Sequence, residues 1–197
     1  MIHSSLVILL LMVIVLTVSG VTVRISTGRL RGYQSEAKSG KLRIPYAAPP
    51  VRDLRFQKPR PPQKWAGIRD ATGTKRKKAC PVVFYIHGGG LNYDSAVMFN
   101  DEFLINNFGG NDVVLVIPGV RLGFFGLLNF GDEDVVPSNI AAYDLIAALQ
   151  FVQKDIKPFG GNPDDVTLFG HSQGATTVAQ FIFSKEIDPS RKYSSIN

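Results

Sequence analysis

The stretch that most constrains the fold of this chain is residues 166–175. A short apolar run leads into Gly-His-Ser-Gln-Gly, residues 170–174, and a helix-permissive run follows over residues 175–183. This strand–turn–helix order is typical of a nucleophile elbow, in which a sharp turn exposes the serine hydroxyl at a helix N-terminus. Such a turn leaves no room beside the serine, which explains the small residues Gly170 and Gly174. An ordinary glycine-rich turn is the alternative.

Three near-continuous apolar runs predict the strands of a buried sheet. They cover residues 81–86, 113–117 and 166–169, and the first two lead directly into glycine-containing turns. Between the last two, apolar residues recur at helical spacing over residues 138–157, before a proline and two glycines that stop the helix. Apolar strands that alternate with a helix predict an α/β fold in one domain, with functional groups at the carboxyl ends of the strands.

The chain before these runs predicts a hairpin and then irregular structure. Residues 22–30 alternate apolar and polar side chains and reach a glycine, as a strand entering a hairpin does. Residues 44–62 carry six prolines, which predict extended, irregular chain wrapped on a surface. We expect Trp65 and Ile68 to anchor this part to the body, Trp65 by simple packing.

An apolar run near the N-terminus predicts a secretory signal peptide over residues 1–20. No Asp, Glu, Lys or Arg occurs there, and residues 6–18 are apolar apart from one threonine. That run is shorter than the ~20 residues a membrane-spanning helix needs, and small residues follow at a cleavage point. We therefore expect a secreted mature chain without a membrane span, and an uncleaved signal anchor is the alternative.

Charge and cysteine usage exclude several classes of function. Residues 21–80 are strongly basic and residues 81–197 acidic, but the bases are scattered among prolines except at residues 75–78. We interpret that short run as a solvated loop rather than a site for nucleic acid or a lipid surface. Cys80 is the single cysteine, and no spacing of ligand residues predicts a metal or another cofactor.

A second glycine motif, His-Gly-Gly-Gly at residues 87–90, directly follows the first predicted strand. Glycines let the backbone approach a substrate and leave N–H groups free to bind a developing oxyanion. A phosphate-binding loop is the alternative, but the Lys-Ser/Thr ending of a P-loop is absent. Combined with the elbow on a later strand, the motif favours an oxyanion loop.

In this order, the motifs resemble the type B carboxylesterase / cholinesterase-like family of α/β-hydrolases. The resemblance covers nearly the whole chain after the leader and implies an incomplete α/β-hydrolase sheet with flanking helices and an N-terminal hairpin region. The matching segments are residues 44–50, 54–56, 65–72, 87–90, 121–126, 159–163 and 166–170.

The resemblance implies a serine esterase mechanism without a cofactor. It implies that Ser172 is the nucleophile and that the N–H groups of Gly89, Gly90 and Gln173 form the oxyanion hole. A small-molecule ester would be attacked by Ser172 Oγ to give an acyl-enzyme, which water then cleaves.

The sequence also departs from the family pattern. Gln173 stands where the family usually has alanine, which preserves the backbone donor. Only eight residues separate Thr72 from Pro81, so a family segment with a cysteine pair is expected to be deleted, which fits the lone Cys80. Residues 119–121 read Gly-Val-Arg where the family has Asn-Tyr-Arg.

The largest departure concerns the catalytic triad. The family order is serine, acid, histidine, but after Ser172 this chain has only Glu186 and Asp188 as acids and no histidine. His171 adjoins the serine and should point away from it, and we expect His87 to be structural. Loss of a triad member costs several powers of ten in rate.

Residues 21–197 are therefore interpreted as the N-terminal part of an esterase domain that, alone, turns over esters poorly or not at all. A catalytically inactive fragment or a secreted interaction module, as in adhesion members of the family, is the alternative. The intact elbow argues against long-standing non-catalytic use.

Overall fold

The computed structural model describes residues 10–16, 22–31, 39–70, 79–188 and 193–196. Within these residues the chain forms strands and α-helices that alternate through its second half, which confirms the predicted α/β class. The elements are β1 (Leu10–Leu16), β2 (Thr22–Ile25), β3 (Gly28–Arg31), β4 (Ser39–Pro45), β5 (Ile68–Asp70), β6 (Cys80–Ile86), α1 (Asp101–Asn107), β7 (Val114–Pro118), α2 (Phe124–Leu127), α3 (Ile140–Asp155), β8 (Gly161–Gly170), α4 (Gln173–Phe183) and β9 (Ser194–Ile196).

The main sheet has the strand order β4-β1-β7-β6-β8-β9. Strands β7, β6, β8 and β9 are parallel to one another, with Val82 opposite both Val114 and Val166. Every residue of β7 is buried, as expected for a strand covered on both faces. The three predicted apolar runs are therefore neighbouring strands, whose carboxyl ends meet at one edge of the sheet.

Part of the predicted leader is a strand in this sheet. Strand β1 runs antiparallel to β4, from Leu10 opposite Pro45 to Leu16 opposite Ser39. Its other edge pairs with β7, where Leu11 lies opposite Pro118. The strand is thus an interior member of the sheet, and the other residues of the predicted leader lie outside the described residues.

The hairpin predicted for residues 22–30 is confirmed as β2 and β3, which form a small sheet with β5. Its turn is hydrogen-bonded to the end of α3. The backbone N–H and the Oγ of Ser26 donate to the two Asp155 carboxylate oxygens at 2.7 and 2.6 Å. The Trp65 ring packs on Gly28, as its predicted packing role requires. The expectation for Ile68 was wrong, since 38% of this residue is exposed on β5.

Helix α3 supplies much of the core and begins and ends close to the predicted bounds. Its buried apolar side chains pack on the sheet, and Gly160, with φ +86°, ends the short 3-10 turn that follows it.

The predicted irregular stretch, residues 44–62, is confirmed apart from the end of β4 and one 3-10 turn. Among the described residues, no helix combines the length and apolarity of a bilayer crossing.

Two short helices, α1 and α2, were not predicted. Helix α1 is capped by Asn100, whose Oδ1 accepts the Phe103 N–H at 3.1 Å, and two acidic residues follow in its first turn. An asparagine followed by two acidic residues is a sequence signal for a helix N-terminus, so this helix could have been predicted. Helix α2 has only four residues, too few to show a period. The basic run at residues 75–78 lies outside the described residues.

Candidate active site

The candidate nucleophile Ser172 lies at a strained turn between β8 and α4. Its φ of +54° and ψ of −122° are unusual for a residue with a side chain. A Cβ on Gly170 would overlap the backbone of Gly174, and a Cβ on Gly174 would overlap the Ile86 carbonyl. Both positions therefore require glycine, for the steric reason that the sequence suggested.

The elbow and the second glycine motif lie side by side at the carboxyl ends of β6 and β8. Ile86 is opposite Gly170 in the register, and the Ile86 carbonyl accepts the His171 N–H at 3.3 Å. A Cβ placed on Gly88 would lie 3.1 Å from the Cβ of Ser172. Strand pairing thus brings residues that are more than 80 positions apart in the sequence into contact.

The N–H group of Gln173 has no acceptor among the described residues. Gln173 is the first residue of α4, where a helix leaves its N–H groups unpaired. The next two N–H groups form hydrogen bonds within the elbow. Gly174 donates to the His171 carbonyl and Ala175 to the Ser172 carbonyl, both at 2.9 Å. The Gln173 N–H is therefore free to bind an anion beside Ser172.

The segment of residues 87–93, called the glycine loop below, orients two further N–H groups. The Gly89 carbonyl accepts N–H groups from Asn92 at 3.0 Å and Tyr93 at 3.2 Å. Because a trans peptide sets C=O and N–H in opposite directions, the Gly90 N–H points away from these partners. Likewise the Gly88 carbonyl lies 3.0 Å from His87 Nδ1, and the Gly89 N–H points the opposite way.

Neither the Gly89 nor the Gly90 N–H has an acceptor within the described part of the chain. The two residues have φ values of +85° and +59°, which glycine adopts without steric strain. The loop therefore offers two free backbone donors next to the elbow.

A buried ion pair lies behind the glycine loop. Arg121 Nε and Nη2 donate to the two Asp144 carboxylate oxygens at 2.8 and 2.6 Å, and the side chains are only 2% and 0% exposed. Burial raises the pKa of the Asp144 carboxyl, while the hydrogen bonds and charge of Arg121 act to lower that pKa. The third guanidinium nitrogen, Nη1, donates to the Arg55 and Gln57 carbonyls.

This ion pair connects to the glycine loop through Gly123, whose N–H donates to the Leu91 carbonyl at 2.6 Å. From the sequence, Arg121 was named only within segments compared with the family, and no role was predicted for Asp144. A charged residue on the buried face of the α3 pattern was the available signal, because such a residue needs a partner.

Within the described residues, no general base is hydrogen-bonded to Ser172. The Ser172 hydroxyl has no hydrogen-bond partner there, and the exposed ring of His171 lies against Gly88. His87 is buried. Asp188 lies beyond the far end of α4, about 16 Å along the helix axis at ~1.5 Å per residue, where it accepts the Tyr193 N–H. No cluster of three or more potential metal ligands occurs in the described ranges.

Comparison with known proteins identifies relatives of this arrangement. The family model described as "Carboxylesterase family" matches residues 19–80 and 72–189. The two matches meet at residues 72–80, where the sequence predicts a deleted segment. Gut esterase 1 of Caenorhabditis elegans is 34% identical over 84% of this chain, and Pyrethroid hydrolase Ces2e of Rattus norvegicus is 33% identical over 80%.

This chain spans about a third of these relatives, namely 35% and 36% of their lengths. Among solved structures, the Geobacillus stearothermophilus carboxylesterase EST55 superposes with a TM-score of 0.74 and 31% identity. That match covers 87% of this chain and 42% of the bacterial enzyme. Sequence match, fold and the paired glycine motifs agree, and the chain belongs to the carboxylesterase family of α/β-hydrolases.

Proposed function

We propose that this protein is a serine hydrolase of carboxylic esters with Ser172 as its nucleophile. One observation carries the proposal: Ser172 lies on a strained elbow beside three backbone N–H groups, from Gly89, Gly90 and Gln173, that have no acceptor in the described residues. Free donors around an exposed hydroxyl are what the tetrahedral intermediate of acyl transfer needs.

In the proposed reaction, Ser172 Oγ bonds to the ester carbonyl carbon while the carbonyl oxygen takes the negative charge. The three N–H groups bind that oxyanion, and its collapse breaks the bond to the alcohol oxygen. The hydroxyl proton passes to solvent, because the Ser172 hydroxyl has no hydrogen-bond partner among the described residues, and solvent protonates the departing alcohol oxygen. Water then cleaves the acyl-enzyme. Acylation without a hydrogen-bonded base is slow, so we propose that this chain alone turns over esters poorly.

We propose a small-molecule ester as the substrate and the secretory pathway as the destination. The similar proteins include Gut esterase 1 of Caenorhabditis elegans and Venom carboxylesterase-6 of Apis mellifera, and the apolar run in residues 1–20 would direct export. Cleavage after this run would also remove β1 from the sheet.

A non-catalytic role is the second candidate function, because no general base is hydrogen-bonded to the Ser172 hydroxyl in the described residues. Under that proposal the chain acts as a secreted interaction module or an inactive fragment of the family. An intact elbow with both glycines favours the catalytic proposal over this one.

The two candidates are separated by acylation with p-nitrophenyl acetate. The 197-residue chain should release p-nitrophenolate in a slow burst of about one equivalent, and peptide mass spectrometry should locate the acetyl group on Ser172. Ser172→Ala should remove the burst, whereas Ser184→Ala, which alters another serine at the end of α4, should retain it. Failure to acetylate Ser172 in a folded chain would favour the non-catalytic candidate.

A further inference from the structure

The ring of His171 lies close to the candidate nucleophile, although the two residues are neighbours on the elbow and were expected to point apart. A Cβ built on Gly88 would be 3.0 Å from His171 Nδ1 and 3.1 Å from the Cβ of Ser172, so these two atoms are no more than about 6 Å apart. One water molecule can bridge such a separation between an imidazole nitrogen and the hydroxyl of the serine.

The backbone on both sides of His171 fixes where its side chain begins. The His171 N–H donates to the Ile86 carbonyl at 3.3 Å, and the His171 carbonyl accepts the Gly174 N–H at 2.9 Å. The next residue, Ser172, has the φ of +54° that makes the elbow sharp. Because both peptides of His171 are hydrogen-bonded, its Cα–Cβ direction is fixed, and only rotation of the side chain can move the ring.

The His171 ring is also available for proton transfer. His171 and Ser172 are both exposed, and neither side chain has a hydrogen-bond partner among the described residues. The other histidine of the described ranges, His87, is buried, and its Nδ1 lies 3.0 Å from the Gly88 carbonyl. In this part of the chain, His171 is therefore the imidazole that solvent water can connect to Ser172.

We propose that His171 is the general base of this chain and acts on Ser172 through one water molecule. The inference rests on the proposed esterase function. A neutral imidazole that carries its proton on Nε2 accepts a proton at Nδ1. A base that reaches its proton through a single water satisfies the geometric requirement of general-base catalysis. Because a relay in an exposed site is less effective than a direct hydrogen bond, this role fits slow turnover.

In acylation, the Ser172 Oγ–H proton passes to the bridging water as Oγ bonds to the carbonyl carbon, and that water gives a proton to His171 Nδ1. The imidazolium returns the proton through water to the alcohol oxygen when the bond from that oxygen to the carbonyl carbon breaks. In deacylation, a water held by Nδ1 attacks the acyl carbon. Its proton passes to His171 and then to Oγ as the Oγ–carbon bond breaks, which restores both side chains.

The test compares His171→Ala and His171→Gln with the control Thr176→Ala in the 197-residue chain. Thr176 is exposed in α4, outside the glycine loop and the turn at Ser172. Mass spectrometry follows acetylation of Ser172 by p-nitrophenyl acetate. Both His171 variants should acetylate roughly 10- to 100-fold more slowly than the wild type, at or below the lower end of the usual contribution of a general base. The control should keep the wild-type rate, and all urea midpoints should agree.

Loss of the acetyl group, followed after the remaining ester is removed, provides the second measurement. Imidazole in the buffer should accelerate this loss more in acetylated His171→Ala than in the acetylated wild type, because it replaces the missing base. The wild type should lose its acetyl group more slowly in D₂O, since a proton moves as water attacks the acyl carbon. A purely structural role for His171 predicts neither result.

Equal acetylation rates in the wild type and both His171 variants would overturn this inference and leave the proposed function intact. The same conclusion would follow if slower acetylation merely tracked a lower urea midpoint, if imidazole accelerated both proteins equally, or if D₂O had no effect. A folded wild-type chain that never acetylates Ser172 would overturn the proposed function and this inference together.

Discussion

The two flanks of the main sheet are built on different principles. On the parallel flank, β6 and β8 end in glycine motifs that lie side by side, and a Cβ on Gly174 would overlap the Ile86 carbonyl at the end of β6. On the antiparallel flank, β1 lies between β4 and β7 and pairs with both, and this strand comes from the apolar N-terminal run. One flank depends on the shape of a few residues, and the other on backbone pairing between segments that are distant in sequence.

This difference explains why the two flanks could not be predicted equally well from the sequence. A steric requirement appears in the sequence as particular residue types at fixed spacing, such as the glycines two residues before and after Ser172. Backbone pairing leaves little mark, because any apolar segment of suitable length can complete a sheet. The apolar run at residues 6–18 fits the pattern of a leader, and residues 10–16 of this run form a strand of the main sheet.

Arg121 joins the segment after β7 to α3 and to the carbonyls of Arg55 and Gln57, so breaking its ion pair should have the largest effect on stability. Asp144→Ala leaves a buried guanidinium without its carboxylate, and we expect a loss of about 3–5 kcal/mol in the free energy of unfolding. Urea denaturation measures the change. Asp165→Ala removes an exposed carboxylate and should stay within about 0.5 kcal/mol of the wild type. Equal losses in both variants would contradict the linking role.

Proline in β1 tests the antiparallel flank alone. Val13 lies in the middle of the strand, opposite Leu42 on one edge and Val116 on the other. Val13→Pro removes a ladder N–H and should destabilise the chain by about 3 kcal/mol, whereas Val13→Thr keeps the N–H and the β-branched shape. Hydrogen exchange of the β7 amides should accelerate in the proline variant only.

Removal of residues 1–20 should give the complementary result, which is faster hydrogen exchange of the β7 amides. A chain that begins at Val21 lacks β1, so β4 loses its strand partner and one edge of β7 opens. Unchanged exchange of the β7 amides in this shortened chain would show that the sheet does not depend on β1, and it would remove the contrast between the flanks.

The smallest expected effect comes from the parallel flank. Gly174→Ala places a methyl group against the Ile86 carbonyl, which should cost about 1–3 kcal/mol and misplace Ser172 enough to abolish the acylation burst. Gly110→Ala is the matched control, because the added methyl group there would lie 3.9 Å from the Ile105 carbonyl, an ordinary contact distance. An active, fully stable Gly174→Ala variant would show that the elbow tolerates more than its geometry suggests.

Local patterns thus predicted the hairpin of β2 and β3, helix α3, and the elbow with its two glycines. The oxyanion residues Gly89, Gly90 and Gln173 remain predictions, whose free N–H groups are compatible with that role. Helix α1 was missed although its Asn100 cap was visible, and α2 is too short to predict.

The sequence by itself determined where glycine is indispensable, because a turn that excludes a Cβ can be read from a few neighbouring residues. Only the tertiary structure decided the partner of each strand, the direction of the Gly89 and Gly90 N–H groups and the pairing of Arg121 with Asp144. Those features depend on contacts between distant segments, and the free energy of such contacts is fixed only when the sheet brings the segments together.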